Sequence, residues 1–544
     1  MSRSPIFADV IRALRLARFC TDHRLSTADG LTRVREAEIE RAALRRGRRE
    51  WMKTVARTSA LGAAACVTAP VRRVLAGPKQ ASSLDVGIVG AGLAGLACAD
   101  TLADRGVVAT VYDANTRTGG RCRSLRGLFP GQAAERGGEF IDNLHKTMLQ
   151  YAKRFDLAVE DVSKVPGEVT YHFGGQHVPE AAVVDEFRDF VQVMHLDLRR
   201  LSREVTALSH TSADVAIDRT SLLAYLDGAN AAGTAAGPIA KAAITAAYIA
   251  EYGLEPDEQS CLNFLLFIHA DRRSKFTPFG VFSDERYHVL DGNDRIVEGL
   301  TRELPRSVEL GMTLVAARRT PAGAVELTFD TAGGRTSRVH DAVVLALPFS
   351  TLRHVDLDVS LGLSAAKRAA IDLLGYGTNA KMMIGFVRRP WVAQGRTGAS
   401  YSDLAHHQTT WETNPARANA ARGVLTDYSG GNRGASLDPG AVQAEADLFL
   451  ADLDQVFPGA QAAARRTPGG VVAHLEHWPS NPLTRGSYTS YRPGQFTTIA
   501  GLEGLPAGNI FFAGEHANSF YDFQGFMEGA ALSGIDAAAA ILRN

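Results

Sequence analysis

The sequence predicts an α/β protein built from two interleaved domains, and three observations predict it. First, 544 residues exceed what one hydrophobic core ordinarily serves. Second, Val86-Gly-Ile-Val-Gly90-Ala-Gly92-Leu-Ala-Gly95 sets an apolar run, a three-glycine turn and an apolar helical run in immediate succession, and a further apolar run ends at Asp113. Third, glycine-bearing pieces of the same character recur near residues 285–350 and 485–544, separated by stretches of different composition, as expected when one domain is inserted into another. With 45% apolar and 22% charged residues the chain is globular; collagen, coiled coil and disorder are excluded.

The chain begins with a basic leader. Residues 1–76 hold 16 of the 59 Lys+Arg and 7 of the 59 Asp+Glu. Arg48-Arg49 precedes Glu50-Trp51-Met52-Lys53, an alanine-rich stretch from Ser59 to Ala69 follows, and Val74-Leu75-Ala76 offers a cleavable end. That order is the order of a twin-arginine export signal, which carries folded, cofactor-loaded proteins. A periplasmic or secreted location is expected; without the signal the location would be cytoplasmic. The remaining 43 basic and 52 acidic residues give the body a net −9, which argues against a nucleic-acid partner; it is compatible with a cationic substrate, and solubility alone explains it just as well. No apolar run of about 18 residues lies in the body, so stable membrane insertion is not expected. Cys20, Cys66, Cys98, Cys122 and Cys261 are scattered, with neither disulfide-framework nor metal-site spacing.

Val86 to Val89 reads as a buried strand and Leu93 to Leu102 as a helix. Gly90 permits the tight turn, Gly92 lets backbone approach a pyrophosphate, and Gly95 lets helix and strand pack closely. The phosphates would meet the positive end of the helix at Leu93-Ala94. A strand from Val107 to Tyr112 delivers Asp113, whose carboxylate can accept hydrogen bonds from ribose hydroxyls. Arg117-Thr118-Gly119-Gly120-Arg121-Cys122-Arg123 can add amides and guanidinium groups around the same pyrophosphate. Glu135 to Asp142 reads as a turn into a helix over Leu144–Phe155, and residues 180–250 are helix-rich. Tyr287 to Asn293 returns to strand and turn. Strands are expected at Thr313–Arg318, Val325–Phe329 and Ala342–Leu347, a helix at Ala365–Leu374, a strand at Ala380–Phe386, and a polar, glycine-rich loop from Asn414 to Gly440. A strand Ile510–Ala513 leads to Gly514-Glu515 and a helix from about Gly525 to Leu542. Cofactor-binding segments therefore cover 84–150, 285–350 and 480–544; a substrate-binding domain covers 151–284 and 351–479.

In this order the pieces resemble the flavin-containing amine oxidase family of monoamine, polyamine and L-amino-acid oxidases. The matching residues are Gly90-x-Gly92-x-x-Gly95, Asp113, Gly119-Gly120-Arg121, Gly137-Gly138, Gly292, Ala346-Leu347-Pro348, Lys381, Trp478, Gly486-Ser487-Tyr488, Phe512-Ala-Gly514-Glu515 and Gly525-Phe526-Met527-Glu528-Gly529-Ala530. The resemblance implies a Rossmann-like FAD-binding domain with an interleaved mixed-sheet and helical substrate domain, and FAD as cofactor. Asp113 with Ala114 would bind the adenosine ribose. Thr118, Gly120, Arg121 and Arg123 would contact the diphosphate and flavin edge. Gly137, Gly138, Glu139, Phe140, Val315, Pro348 and Trp478 would complete the cofactor site. Gly514 and Glu515 would sit by the ribityl or phosphate groups. Gly525, Phe526 and Met527 would open the last helix beneath the flavin pyrimidine, where amides and dipole favour negative charge.

The same resemblance implies catalytic roles for Lys381, Trp478, Tyr488 and Phe526. The lysine would hold a water beside flavin N5, and the two rings would flank the amine. Ser487 replaces the cysteine that tethers flavin in the mammalian branch, so FAD would be non-covalent. The implied reaction is oxidation of an amine C–N bond to an imine, hydrolysis to carbonyl plus ammonia or amine, and reduction of O2 to hydrogen peroxide. Two alternatives stay open: an L-amino-acid oxidase, and a dehydrogenase passing electrons to a protein. The venom-type amino-acid branch carries G-x-x-R where this chain has Gly137-Gly138-Glu139-Phe140, so Arg272, Arg273 or Arg286 would have to meet a carboxylate. Among the histidines, His516 is the best placed to touch FAD. Phe173, Phe264, Phe267 and Tyr401 are candidates for the substrate wall.

Overall fold

The computed structural model describes residues 5–34, 84–162, 165–269, 286–419 and 422–543. Its centre is a five-stranded parallel sheet in the spatial order Ile510–Phe512, Ala342–Leu345, Val86–Val89, Thr110–Asp113, Glu309–Leu310. Val86–Val89 is buried at all four positions, as a strand covered on both faces must be. Helix Leu93–Ala103 covers one face and packs on the last helix, Met527–Ile541. Glycines set that closeness: a Cβ on Gly95 would stand 1.8 Å from the Gly90 carbonyl oxygen, and one on Gly534 2.0 Å from the Ala94 oxygen.

A second, seven-stranded mixed sheet runs Ala473–His477, Ala380–Phe386, Gly423–Ser429, His407–Glu412, Arg396–Leu404, Glu168–Phe173, Gln176–Val178. Alternation along Ala380–Phe386 decides which side chains meet which core. Ala380, Met382, Ile384 and Phe386 enter a cluster with Trp391, Phe449 and Leu453. Lys381, Met383 and Gly385 face the other way, towards Phe129, Val424 and the cofactor-binding segments. A third sheet, Gly334–His340, Val325–Thr331, Thr313–Arg319 and Asp356–Leu357, carries the chain between the two.

The expected strands at 86–89 and 380–386 are observed with the same bounds, and the helix expected over 93–102 ends at Ala103. The second strand is shorter than expected, Thr110–Asp113. The loop expected from Asn414 to Gly440 is wrong in its middle: Gly423–Ser429 is a strand buried along its whole length, followed by helix Gly431–Ser436. Val424, Leu425, Thr426 and Tyr428 are strand formers whose signal is diluted by the glycines and asparagine that flank them.

The amino terminus differs most from a detached leader. Helix Pro5–Asp22 lies against helices Glu180–Leu198 and Pro238–Tyr252. Arg48-Arg49, the alanine-rich stretch, Cys66 and Ala76 lie outside the described residues. Among the described residues no helix is long and apolar enough to cross a membrane, and no group of His, Cys, Asp and Glu could hold a metal ion.

Candidate active site

A cavity of about 320 Å³ opens at the carboxyl ends of the parallel strands, where open α/β sheets place ligands. Four strands deliver its wall: Val89, Gly90 and Gly92 from the first, Asp113 and Ala114 from the second, Ala346 to Pro348 after Ala342–Leu345, and Gly514 and Glu515 after Ile510–Phe512. Gly92 has φ −75° and nothing within 4 Å of where a Cβ would stand, so its backbone lies bare to the space. It caps helix Leu93–Ala103 without a side-chain hydrogen bond, leaving the first amides to an anion. The second glycine turn docks on the first, Gly119 N–H donating to the Ala91 oxygen at 2.7 Å. Arg117 braces that turn through the Thr118 and Gly120 oxygens, both at 2.9 Å.

Asp113 closes one end. Its carboxylate accepts from Ala91 N–H at 2.7 Å and Asn115 N–H at 2.8 Å. Burial pushes its pKa above the ordinary value against those amides and Arg117. Both oxygens keep a lone pair for ribose hydroxyls. After the strand Ile510–Phe512, Glu515 Oε1 accepts from Arg121 Nη1 at 2.9 Å, and the same nitrogen donates to the Ser487 oxygen at 2.7 Å. Burial pushes the Glu515 carboxyl up, but Arg121 overrides it and the group titrates below its ordinary value. Glu515 Oε2 is buried and accepts nothing among the described residues. A buried carboxylate oxygen aimed at a cavity calls for a hydroxyl donor, and a polyhydroxylated linker supplies one. The bare glycine, the uncapped helix and this oxygen together fit a flavin dinucleotide.

The far wall holds Trp478, Phe526, Met527 and Ala530. Phe526 caps Met527–Ile541 with no side-chain hydrogen bond, so a second helix amino terminus points at the cavity. Glu528, two residues on, accepts from Thr147 and Met148 N–H, both at 2.8 Å, and caps helix Lys146–Arg154 instead. Trp478 Nε1 donates to the Arg136 oxygen at 2.9 Å. Behind this wall Gly137 and Gly138 admit Trp478 and Met527: Cβ atoms there would lie 3.2 Å from Trp478 Cζ2 and 2.8 Å from Met527 Sδ.

Lys381 sits in the next layer, its side chain 3% exposed. Its Nζ donates to Glu139 Oε2 at 2.6 Å, the Gly137 oxygen at 2.8 Å and the Glu135 oxygen at 3.3 Å. Trp411 and Tyr428 present their rings to it at 5.5 and 5.6 Å. Trp411 Nε1 also donates to Glu139 Oε1 at 2.9 Å. Tyr428 in turn donates to the Tyr488 hydroxyl at 3.1 Å, and Tyr488 donates to the Glu251 oxygen. Phe526 meets His145 edge-on at 4.9 Å.

Of the residues picked from sequence, Gly90, Gly92, Leu93, Ala94, Asp113, Ala114, Gly119, Gly120, Arg121, Val315, Pro348, Trp478, Gly514, Glu515, Phe526 and Met527 line the cavity. Gly95, Arg123, Gly137, Gly138, Glu139, Phe140, Lys381, Tyr488 and Gly525 do not. Gly95 lies beneath the first turn, and Phe140 packs on Trp411 at 5.8 Å. Arg117, not Arg123, reaches the wall. Glu139 holds Lys381 rather than the cavity wall. His516 is not in the wall either: it packs on Phe349 at 4.3 Å, and burial pulls its pKa down to about 4. Arg286 is committed to Asp161 at 2.8 Å, and Arg272 and Arg273 lie outside the described residues. Tyr401 stacks on Tyr171 at 5.3 Å, Phe264 packs among Phe190, Tyr225 and Tyr248, and Phe173 is buried beside Tyr171. The Phe267 side chain lies outside the described part. Sequence reasoning missed Trp411, Tyr428 and the Asn481–Arg485 loop, which joins the wall. Nothing in their local pattern marks them; they are selected by sheet register and chain return.

A dinucleotide cradle at the carboxyl edge of a parallel sheet, backed by an aromatic and lysine layer from a second sheet, defines a flavin-dependent oxidoreductase. The family model for flavin containing amine oxidoreductases matches residues 93–542, and the chain belongs to that family. Relatives include an L-amino-acid oxidase of Siganus canaliculatus, 25% identical over 485 residues, covering 85% of this chain and 86% of that protein. Another is an L-amino-acid oxidase of Pseudechis australis, 22% identical over 471 residues, covering 83% and 85%. Among solved structures, cyclohexylamine oxidase from Brevibacterium oxydans IH-35A is similar with a TM-score of 0.71 at 21% identity, covering 85% of this chain and 99% of that one. Putrescine oxidase bound to putrescine gives 0.68 at 19%, with 85% and 99% covered. The two-domain fold is that of these amine oxidases.

Proposed function

We propose that the protein oxidises the C–N bond of a small amine to an imine, using non-covalently bound FAD, and that O2 takes up the electrons as hydrogen peroxide. Bound FAD would supply the acceptor for the hydride equivalent; the protein supplies position and field. Asp113, the amides behind Gly92 and the Glu515 carboxylate would hold its ribose, diphosphate and ribityl groups. The positive end of Met527–Ile541 would favour negative charge on its pyrimidine edge. The buried aromatic wall of Trp478 and Phe526 disfavours the ammonium form of the substrate, leaving the nitrogen lone pair that the reaction needs. The Tyr488 hydroxyl is committed to Tyr428 and the Glu251 oxygen, so its ring is fixed in the layer behind that wall. Lys381 is paired with Glu139 in the buried layer behind the cofactor wall, and the pair fixes the position of both side chains. The Ser487 hydroxyl donates to Asn379 Oδ1 at 2.6 Å and has no thiol with which to tether a flavin.

The observation that carries this reading is the junction of the dinucleotide cradle with the Trp478–Phe526 wall in one cavity, directly in front of Lys381. A second reading, an α-amino-acid substrate, is favoured by the L-amino-acid oxidases of Siganus canaliculatus and Pseudechis australis. Against it, Lys381 and Arg286 are each neutralised by a carboxylate and offer no clamp. The test is anaerobic bleaching of the yellow protein by phenethylamine and by phenylalanine, and by other such pairs. Bleaching by amines, with peroxide formed on readmission of air, supports the proposal. Bleaching by the carboxylated partners alone transfers it to the second reading, and bleaching by neither refutes both.

A further inference from the structure

Residues 5–34 take no part in the cofactor cavity, yet they are built into the molecule. Helix Pro5–Asp22 buries Ala13, Leu14, Leu16, Ala17 and Cys20, spaced as one apolar helical stripe. That stripe meets Glu180–Leu198 and Pro238–Tyr252, with strands Arg396–Leu404 and His407–Glu412 beneath. The chain then turns back on itself: a Cβ on Gly30 would stand 2.2 Å from Cys20 Sγ, so the helical residues 27–34 lie close upon the first helix. One body residue fastens this return. Arg188 donates from Nη2 to the Leu25 oxygen at 2.7 Å and from Nη1 to Thr27 Oγ1 at 2.9 Å, while Thr27 donates to Asp185. Thr27 is itself buried.

A leader that is discarded needs neither an apolar stripe matched to the body nor a guanidinium fork reserved for its Leu25 carbonyl and Thr27 hydroxyl. Exposing these five side chains and their counterparts on two helices would leave an apolar face of the kind soluble proteins cover. The helix they cover has a further use. Pro238–Tyr252 ends in the Ala250 and Glu251 carbonyls that accept the Tyr488 hydroxyl, so what braces this helix also braces the aromatic layer behind the cavity wall. We propose that residues 5–34 are a permanent clamp on the working protein, retained even where the chain is cut in the stretch that joins them to the body. A cleavage after Ala76 during export would then yield two chains that stay together.

The experiment uses the full-length, cofactor-loaded protein carrying a specific protease site between residues 35 and 83. After cutting, gel filtration in native buffer is expected to carry the amino-terminal fragment with the body in equal amounts, and denaturant to part them. Leu16→Asp with Ala17→Asp should release the fragment from the cut protein; Ala28→Asp, on the exposed side of the return, should not. A fragment that separates in native buffer while the body keeps its melting temperature and its flavin overturns the proposal. So does an exported protein whose denatured mass shows a chain starting beyond residue 34 with no companion peptide. Neither readout depends on which substrate is oxidised.

Discussion

Replacing Glu139 by glutamine removes one member of a pair whose side chains are 3% and 1% exposed. Breaking a buried ion pair from one side typically costs about 3–5 kcal/mol, because the remaining charge is left without its counter-ion. Lys381 keeps two carbonyl acceptors and two ring faces, each of which returns part of the loss. The Glu139→Gln change is therefore expected near the lower end, about 3 kcal/mol. The amide also brings one oxygen to two donors, Lys381 Nζ and Trp411 Nε1, where the carboxylate offered one to each. Lys381→Met strands the carboxylate in turn. The double variant lacks both charges, so the two losses should fall short of additive by about 1–3 kcal/mol. Urea unfolding of the four proteins, followed by near-UV circular dichroism, completes the cycle. Single variants that each cost under about 0.5 kcal/mol and simply add would refute the reasoning, since unlinked surface changes behave in that way.

Three further outcomes follow from the same geometry. Gly92→Ala should leave the apoprotein's stability unchanged and weaken FAD at least about tenfold, roughly 1.4 kcal/mol, because its methyl enters open cavity; Gly95→Ala, 1.8 Å from the Gly90 oxygen, should destabilise the apoprotein itself by about 1–3 kcal/mol or more. Melting curves and FAD titrations of both variants separate the two, and equal melting losses would sink the assignment. Asp113→Asn keeps the shape but puts an NH2 against Ala91 or Asn115 N–H and removes a charged acceptor; fluorescence titration should show FAD affinity down about 10- to 100-fold, and an unchanged affinity would contradict the ribose role. Lys367 is buried, donating to the Leu502 and Glu503 oxygens, and burial pulls its pKa down to about 7. The unfolded chain keeps that proton to about pH 10.4, so between about 7 and 10 unfolding takes up a proton and stability rises with pH, by up to about 1.4 kcal/mol per unit. In Lys367→Met that contribution to the rise should vanish; identical slopes in the two proteins would disprove it.

The pieces legible in the sequence are those whose reason is local. Gly90 takes φ +106° at a tight turn, Gly95 lies under a carbonyl, and Asp113 closes a strand that starts a turn. Each requirement acts within a few residues, so residue type and spacing express it. The same holds for the nearly continuous apolar run Ala380–Phe386 and for the alanine-rich last helix. Glu139 shows where this ends. In the sequence it is one acid after two glycines; its role as the counter-ion of Lys381 arises because a strand 242 residues later turns odd-numbered side chains towards it. Trp411 and Tyr428 join Lys381 by cross-strand register, Glu515 and Arg121 meet across 394 residues, and helix Pro5–Asp22 finds its seat on helices that begin at Glu180 and Pro238. Local chemistry chooses backbone conformation, which the sequence by itself determined here for the dinucleotide turn and the buried strands. Which charges share a low-dielectric interior, and which apolar face covers which, depends on contacts between segments far apart in the chain, and only the tertiary structure decided them.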